Sequence, residues 1–254
     1  MAAIYPIASP SDQLSDALAR VPYTPLFFTA LGTMIVRRLY SLQNLPRKVI
    51  VLDCDRTLWV ENCSEDGAEG VGIDEPHRVF QEFLLAQQRA GMLLCLCSRN
   101  NESDVLEVFR RHAGMALKLE HLAAWRINWL PKSRNLQSLA NQLGLGLDSF
   151  IFIDDDPFEC AEFEAACPRV ISLPLPDESR EIPGFLAHVW AFDHIKPPSL
   201  EDQKRTRFYR SDQERQLFRQ QTASLMDFLA GLRLQVCFEL LAPHHYARVS
   251  QLTL

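Results

Sequence analysis

Two groups of acidic residues have the types and spacing of a metal-binding site. Asp53 and Asp55 stand two residues apart after the mostly apolar run 48–52, and three consecutive acids beginning at Asp154 follow the apolar run 150–153. An isolated Asp-x-Asp is more often a solvated turn than a functional site. When two such groups meet at one edge of a sheet, however, their like charges repel unless a cation neutralises them. The pattern therefore favours a hard ion bound through oxygen, and Mg²⁺ suits a site of a few carboxylates, water and a substrate phosphate.

The segments that position these acids alternate between strand-like and helix-like patterns. Short apolar runs, as in strands buried on both faces of a parallel sheet, cover residues 48–53, 92–97, 150–153 and 169–173. Helical spacing of apolar residues falls between the runs, over residues 76–89, 103–112 and 133–143. This alternation predicts an α/β fold with a doubly wound, mostly parallel sheet, in which ligands bind beyond the carboxyl ends of the strands.

Two accessory segments flank the predicted catalytic core. We expect an N-terminal segment over residues 1–46, with an apolar helix over 26–42, and a core over residues 47–198. We expect residues 199–254 to form a C-terminal accessory segment, because the sequence has a charged helical pattern from 199, a helical pattern over 217–229 and a strand-like run over 232–240.

Composition and charge exclude several other classes of protein. A chain of 254 residues with 47% hydrophobic and 23% charged residues is typical of a globular protein. The net charge of -6 argues against a general nucleic-acid surface, and the longest apolar run is too short to cross a membrane. The first residues do not have the pattern of a signal peptide, so we expect a cytoplasmic protein. The seven cysteines show no zinc-site spacing and are expected to be thiols.

The order of the polar residues resembles a known superfamily. Asp-x-Asp-x-Thr, a strand-end Ser, a Lys and paired acids follow one another as in the haloacid dehalogenase superfamily. The resemblance implies that Asp53 is the nucleophile, that Asp55 is the acid/base, and that Ser98 and Lys132 bind phosphate. It also implies a Mg²⁺ site made by four carboxylates, those of Asp53, Asp55, Asp154 and Asp155. Further substrate-binding residues on this reading are Arg56, Thr57, Arg99 and Asn100.

The implied roles are chemically consistent. A carboxylate nucleophile can form an aspartyl-phosphate, which divides one difficult transfer into two easier steps. Mg²⁺ and Lys132 would stabilise the charge on the phosphoryl group during transfer.

Longer phrases resemble a narrower family, the FkbH-type glyceryl transferase/phosphatases of polyketide pathways. The phrases cover residues 51–59, 64–67, 97–102, 128–133 and 152–159. The resemblance implies an enzyme that takes 1,3-bisphosphoglycerate, loads its glyceryl portion as a thioester on an active-site cysteine and removes phosphate. It then passes the glyceryl unit to the phosphopantetheine thiol of an acyl carrier protein. Such proteins continue beyond the position that corresponds to Leu254, so we expect a domain of a longer synthase.

Cys54 is the first candidate for the acyl-carrying thiol. It lies between Asp53 and Asp55, beside Arg56 and near the expected Mg²⁺, and a reactive thiolate needs a positive and partly exposed environment. Cys63, in the following loop, is the second candidate. The alternative is that Cys54 is a small apolar filler, because buried free cysteines usually behave so.

Two positions depart from the narrower family and keep other functions open. Arg56 and Asp156 stand where that family usually has Asn. Arg56 could bind a carboxyl-phosphate or a distant phosphate of the substrate with two hydrogen bonds, or it could crowd the metal. One alternative function is a simple Mg²⁺-dependent phosphatase of a small phosphorylated metabolite, in which Cys54 has no chemical part. The other is a carrier-docking module that keeps the fold and has lost turnover through Arg56.

Overall fold

The computed structural model describes residues 4–193 and 200–221 and the single position 231. The chain divides into two compact units, Met1–Arg210 and Ser211–Leu254. The sheet and all the acidic residues singled out above belong to the first unit. Among the described residues, no helix is both long and apolar enough to cross a membrane.

The first unit is built on a five-stranded parallel sheet with the order β3-β2-β1-β4-β5. Its strands are β1 (Val49–Leu52), β2 (Leu93–Ser98), β3 (Leu122–Ile127), β4 (Phe150–Asp154) and β5 (Ile171–Pro174). Every residue of β1, β2 and β4 is buried, as expected for strands that are covered on both faces. The observed architecture confirms the predicted α/β class with its parallel sheet.

Helices connect the strands and cover both faces of the sheet. Their bounds are α1 (Gln13–Ala19), α2 (Pro25–Gln43), α3 (Cys63–Gly70), α4 (Glu75–Arg89), α5 (Glu102–Arg111), α6 (Lys132–Leu143), α7 (Pro157–Ala166), α8 (Ile182–His188) and α9 (Leu200–Gln221). Two hydrophobic clusters of buried residues form the core, and alternate residues of the central strands contribute to one or the other. Because side chains of a strand alternate in direction, this division places one cluster on each face.

Local chemistry sets the ends of the helices that flank the site. Asp74 accepts a hydrogen bond from the backbone N–H of His77 and so caps the first turn of α4. Asp156 caps α7 in the same way, through the N–H of Phe158. The C-terminal end of α6 is Gly144, whose φ of 63° lies in the left-handed region that glycine adopts at low cost.

The structure also contains elements that the sequence patterns do not predict. The main one is β3, an edge strand whose residues include two alanines and an arginine and therefore lack a strong strand pattern. The predicted run 150–153 is consequently the fourth strand of the chain. Helices α1, α3, α7 and α8 were also not predicted, whereas the predicted helix over 26–42 corresponds to α2. The predicted strand over 232–240 and most of the helix over 217–229 lie outside the described residues.

Candidate active site

The ends of β1 and β4 bring the two acidic groups side by side. Leu52 of β1 is paired with Ile153 of β4, so Asp53 and Asp154 follow at the same level of the sheet. The backbone N–H of Asp53 donates to the carbonyl of Ile153 at 3.0 Å, which continues the pairing to the site itself. Ser98 ends the neighbouring strand β2 and is buried. The structure therefore places the two acidic groups next to each other at the carboxyl ends of the strands, as predicted.

Three of the carboxylates form a group that could hold a metal ion. One oxygen from each of Asp53, Asp154 and Asp155 lies within 4.8 Å of the others. Asp53 and Asp154 are only 6% and 1% exposed, so their charges are shielded poorly by water. Closely spaced carboxylate oxygens are the ligands that hard divalent cations prefer, and these residues fit such an ion.

Lys132 compensates part of this negative charge. Its Nζ donates to Oδ2 of Asp154 at 2.6 Å and lies 3.0 Å from Oδ1 of Asp53. Burial disfavours the charged amine, but the two carboxylates outweigh it and raise the pKa of Lys132 above its ordinary value. The lysine starts α6, and Asn128 orders the preceding loop by accepting hydrogen bonds from the N–H of Leu130 and the side chain of Asn135.

The buried carboxyl group of Asp53 has a raised pKa. Burial raises its pKa from 3.8 to about 7 against the opposing effect of Lys132, and the charge of Asp154 raises it further. A hydrogen bond from Ser98 favours the ionised form. A cation bound at the three carboxylates would replace the proton, because it favours the charged form of each ligand.

Thr57 and Arg56 both contact Asp155. The Thr57 hydroxyl accepts a hydrogen bond from the backbone N–H of Asp155 at 3.1 Å and donates to its carboxylate at 3.3 Å. Arg56 has its Nε 3.3 Å from the same carboxylate, a φ of 57° and an exposed side chain. Burial raises the pKa of Asp155, as does Asp154, whereas Arg56 lowers it. Thr57, predicted to bind substrate, is buried and holds a candidate metal ligand, and Arg56 lies beside the same ligand.

Asp55 lies outside the group of three carboxylates. Its Oδ1 accepts hydrogen bonds from Nε1 of Trp59 at 2.8 Å and from the backbone N–H of Cys63 at 3.0 Å. Its Oδ2 accepts from Nδ2 of Asn100 at 2.7 Å. Asn100, predicted to bind substrate, is thus a partner of the candidate acid/base. The metal-binding role predicted for Asp55 stays a prediction.

Neither candidate thiol has the environment that the acyl-carrying role requires. Cys54 is 0% exposed and lies in a hydrophobic cluster, and burial together with Asp53 raises its pKa well above the ordinary value. Cys63 is also buried, and burial and Asp55 raise its pKa to about 12. A nucleophilic thiolate needs the opposite setting. These surroundings match the alternative that Cys54 is an apolar filler, and its chemical role stays a prediction.

Arg99 forms ion pairs with two glutamates of α7, the helix that follows the second acidic group. Its Nη1 donates to Glu159 in the first turn of α7 at 2.6 Å, and Nη2 lies 3.9 Å from Glu162. The predicted role in binding substrate would require Arg99 to exchange these partners. No role is predicted from the sequence for Trp59 or Glu159, although each residue ends one of the segments that resemble the narrower family. Glu159 is 60 residues from its partner Arg99, so no local pattern predicts their contact.

Comparisons with known proteins support the fold. No protein-family model matches the chain, and neither does any curated protein. The chain is similar to a crystal structure of the N-terminal part of the protein BF1531 from Bacteroides fragilis, described as containing a phosphatase domain complexed with Mg, with 25% identity and a TM-score of 0.66. The match covers 78% of this chain and 54% of that one, so the chain spans about half the length of that structure. The shared fold follows from this likeness.

Two other solved structures are similar over part of the chain. One is a HAD family enzyme from Bacteroides thetaiotaomicron, with 12% identity, a TM-score of 0.40 and coverage of 54% of this chain and 98% of that one. The other is a HAD-like phosphatase from Mesorhizobium loti, with 15% identity, a TM-score of 0.39 and coverage of 59% and 90%.

Proposed function

We propose that the chain is a Mg²⁺-dependent phosphatase that uses Asp53 as its nucleophile. The observation that carries this proposal is the group of three carboxylates at the sheet edge, with Lys132 between Asp53 and Asp154. The similar Bacteroides fragilis structure is described as a phosphatase domain with Mg, and the superfamily resemblance of the motifs points the same way.

The proposed metal ligands are Asp53, Asp154 and Asp155. Mg²⁺ usually binds through few protein carboxylates and keeps positions for water and substrate phosphate, which agrees with a three-carboxylate group at a strand end. When bound, Mg²⁺ supplies positive charge that stabilises the transferring phosphoryl group.

The protein residues then divide the reaction into two steps. A carboxylate oxygen of Asp53 attacks phosphorus, the bond from phosphorus to the leaving oxygen breaks, and Asp55 gives that oxygen a proton. The product is an aspartyl-phosphate on Asp53. Water then attacks its phosphorus and loses a proton to Asp55, which releases inorganic phosphate and restores Asp53. Lys132 has three N–H donors, so it can contact a phosphoryl oxygen in addition to its two carboxylates.

The finer proposal is a glyceryl transferase. We propose 1,3-bisphosphoglycerate as the substrate and the phosphopantetheine thiol of an acyl carrier protein as the final acceptor. In this reaction a thiolate attacks the acyl carbon, the bond between that carbon and the phosphate oxygen breaks, and inorganic phosphate leaves. The remaining phosphate ester is hydrolysed through Asp53, and the phosphopantetheine thiol takes the acyl group as the first thiol is released. The support is the resemblance of five phrases to the FkbH-type family. The buried settings of Cys54 and Cys63 add no support to an enzyme-bound thioester.

One incubation separates the proposed functions. The protein, MgCl₂, 1,3-bisphosphoglycerate and a carrier bearing phosphopantetheine are mixed, then free phosphate, the intact masses of both proteins and the binding of the carrier are measured. The control is the Asp53→Asn variant, which corrects for spontaneous hydrolysis. Phosphate release above this control with a glyceryl adduct supports glyceryl transfer, and release without an adduct indicates a simple phosphatase. Carrier binding with no release above the control contradicts both and indicates a docking module.

A further inference from the structure

Three hydrogen bonds restrain the carboxylate of Asp55. Trp59 and the backbone of Cys63 donate to Oδ1, and Asn100 donates to Oδ2, all at distances from 2.7 to 3.0 Å. The two oxygens of a carboxylate together offer about four acceptor positions. A side-chain hydrogen bond also joins the thiol of Cys63 to this carboxylate. Because Oδ2 accepts only one of the three N–H donors, it is the oxygen better placed to exchange a proton with a bound molecule.

The donors themselves are held rigidly. Trp59 is completely buried, and its ring meets that of Phe109 edge-on with the ring centroids 6.0 Å apart. A tight turn, in which the N–H of Leu58 donates to the carbonyl of Cys54, brings the indole back towards Asp55. Such a side chain has no free rotamer to adopt without disturbing the core.

The side-chain amide of Asn100 has a defined orientation. Its oxygen accepts a hydrogen bond from the backbone N–H of Asn101 at 2.8 Å, so its nitrogen faces Asp55. The same nitrogen lies 3.3 Å from Sγ of Cys63. Asn100 is buried and comes from the loop after β2, whereas Trp59 comes from the loop after β1. The carboxylate is thus fixed from two strand ends at once.

We propose that Trp59 and Asn100 are positioning residues that aim Oδ2 of Asp55 at the leaving oxygen of the substrate. This inference rests on the proposed phosphatase function. By holding the carboxylate in place, the two residues allow the protein to hydrolyse phosphate esters whose leaving groups are poor. Neither residue needs to touch the substrate for this role.

The chemistry of the leaving group gives the proposal a specific signature. When the bond from phosphorus breaks, its electron pair goes to the leaving oxygen, which takes the proton from Oδ2 of Asp55. A 4-nitrophenolate ion is stable without that proton, whereas a phenolate ion is much less so. Misplacing Asp55 must therefore slow hydrolysis of phenyl phosphate more than hydrolysis of 4-nitrophenyl phosphate. A general loss of structure would slow both equally.

The test compares these two esters in the full chain with MgCl₂. Trp59→Phe keeps an aromatic ring beside Phe109 and removes the N–H donor together with part of the buried indole ring. We expect its kcat on phenyl phosphate to fall about tenfold more than its kcat on 4-nitrophenyl phosphate, which corresponds to about 1.4 kcal/mol of transition-state stabilisation. KM should stay close to the wild-type value for both esters. The matched control is Trp125→Phe, which removes a hydrogen bond to Glu102 and should leave the ratio of the two rates unchanged.

A second variant keeps the test decisive. Asn100→Ala removes the donor to Oδ2 of Asp55, and its kcat on phenyl phosphate should likewise fall more than its kcat on 4-nitrophenyl phosphate. If circular dichroism shows that Trp59→Phe does not fold, Asn100→Ala takes its place in the test. Equal losses on both esters in a folded variant overturn the inference and leave the proposed function intact. If the wild-type protein hydrolyses 4-nitrophenyl phosphate and does not hydrolyse phenyl phosphate, the inference is likewise overturned and the proposed function stays intact. A wild-type protein that releases phosphate from neither ester contradicts the proposed function instead.

Discussion

The pKa of Asp53 is the residue property on which metal binding at this site depends. Burial raises it to about 7 from 3.8, so the folded, metal-free protein keeps a proton that the unfolded chain has already released between these values. Stability falls with rising pH wherever the folded state binds more protons. Asp155, whose pKa is also raised by burial, acts in the same direction.

We therefore expect opposite effects of pH on the metal-free and the metal-bound protein. In EDTA, the free energy of unfolding should decrease from pH 5 to pH 7, because Asp53 loses its proton in an environment that disfavours the charge. The increase in Tm on adding MgCl₂ should be small at pH 5 and larger at pH 8, because the ion competes with that proton. Thermal and urea unfolding across this range measure both effects.

Asp53→Asn is the control for this titration. The variant has no proton to lose at this position, so both pH dependences should become flatter. If the wild type and Asp53→Asn show the same Mg²⁺-induced change in Tm at every pH, Asp53 is not a ligand and the assignment of the metal site is wrong.

Some residues of the site could be identified from the sequence and others could not. Asp53 and Asp154 follow apolar runs directly, so their position at strand ends is readable from local pattern. Lys132 was identified only through the order of motifs. Trp59 was missed, because its contact with Asp55 depends on a tight turn that no periodicity encodes. The sequence leaves the burial of Cys54 open, since a buried apolar filler is the alternative to a reactive thiol.

At the scale of elements, the connection from β3 to α6 determines where Lys132 lies. The strand pairs with β2, and the N–H of Asn128 donates to the carbonyl of Ser98 just beyond the end of both strands. This pairing places the start of α6 beside the acidic group. The strand was not predicted because an edge strand with alanines has weak propensity, and its pairing partner is remote in sequence. The order of motifs therefore singled out Lys132, whereas the strand that precedes its helix was not predicted.

Substitution by alanine should change the free energy of unfolding in opposite directions at two glycines, one inside a helix and one directly after a helix. Gly144 ends α6 with a φ of 63°, whereas Gly32 lies inside α2, and a Cβ would meet nothing within 4 Å at either position. Gly144→Ala should lower the free energy of unfolding by about 1 kcal/mol, because the left-handed conformation costs about 1–2 kcal/mol for an L side chain. Gly32→Ala should raise it by up to about 1 kcal/mol, because alanine is the better helix former.

Urea unfolding of the two variants provides this comparison. Since neither added methyl group meets another atom, the backbone conformation alone should decide the sign of the change. A rise in the free energy of unfolding for Gly144→Ala would show that α6 does not end in the left-handed turn described above, whereas a fall for Gly32→Ala would contradict only the expectation for α2.

For the molecule as a whole, the order of the strands explains why the site lies where it does. The chain runs from β1 to β2 and β3 on one side of the sheet and then returns to β4 and β5 on the other. Asp53 and Asp154 thus lie at the point where the strand order reverses, which is the usual position of a ligand site in an open α/β sheet. The alternation of patterns predicted the class of fold, but the order of the strands depends on long-range pairing that the patterns do not contain.

The most direct measurement of the central claim is the location of a phosphoryl group on the protein during turnover. The protein is mixed with MgCl₂ and acetyl phosphate, quenched with acid within one turnover, digested and analysed by mass spectrometry. We expect a phosphoryl group on Asp53, formed only with Mg²⁺ and absent from Asp53→Asn, because this carboxylate lies beside both Lys132 and the other candidate metal ligands. Phosphate release by Asp53→Asn above the rate without protein, or a phosphoryl group on another residue, would contradict the account.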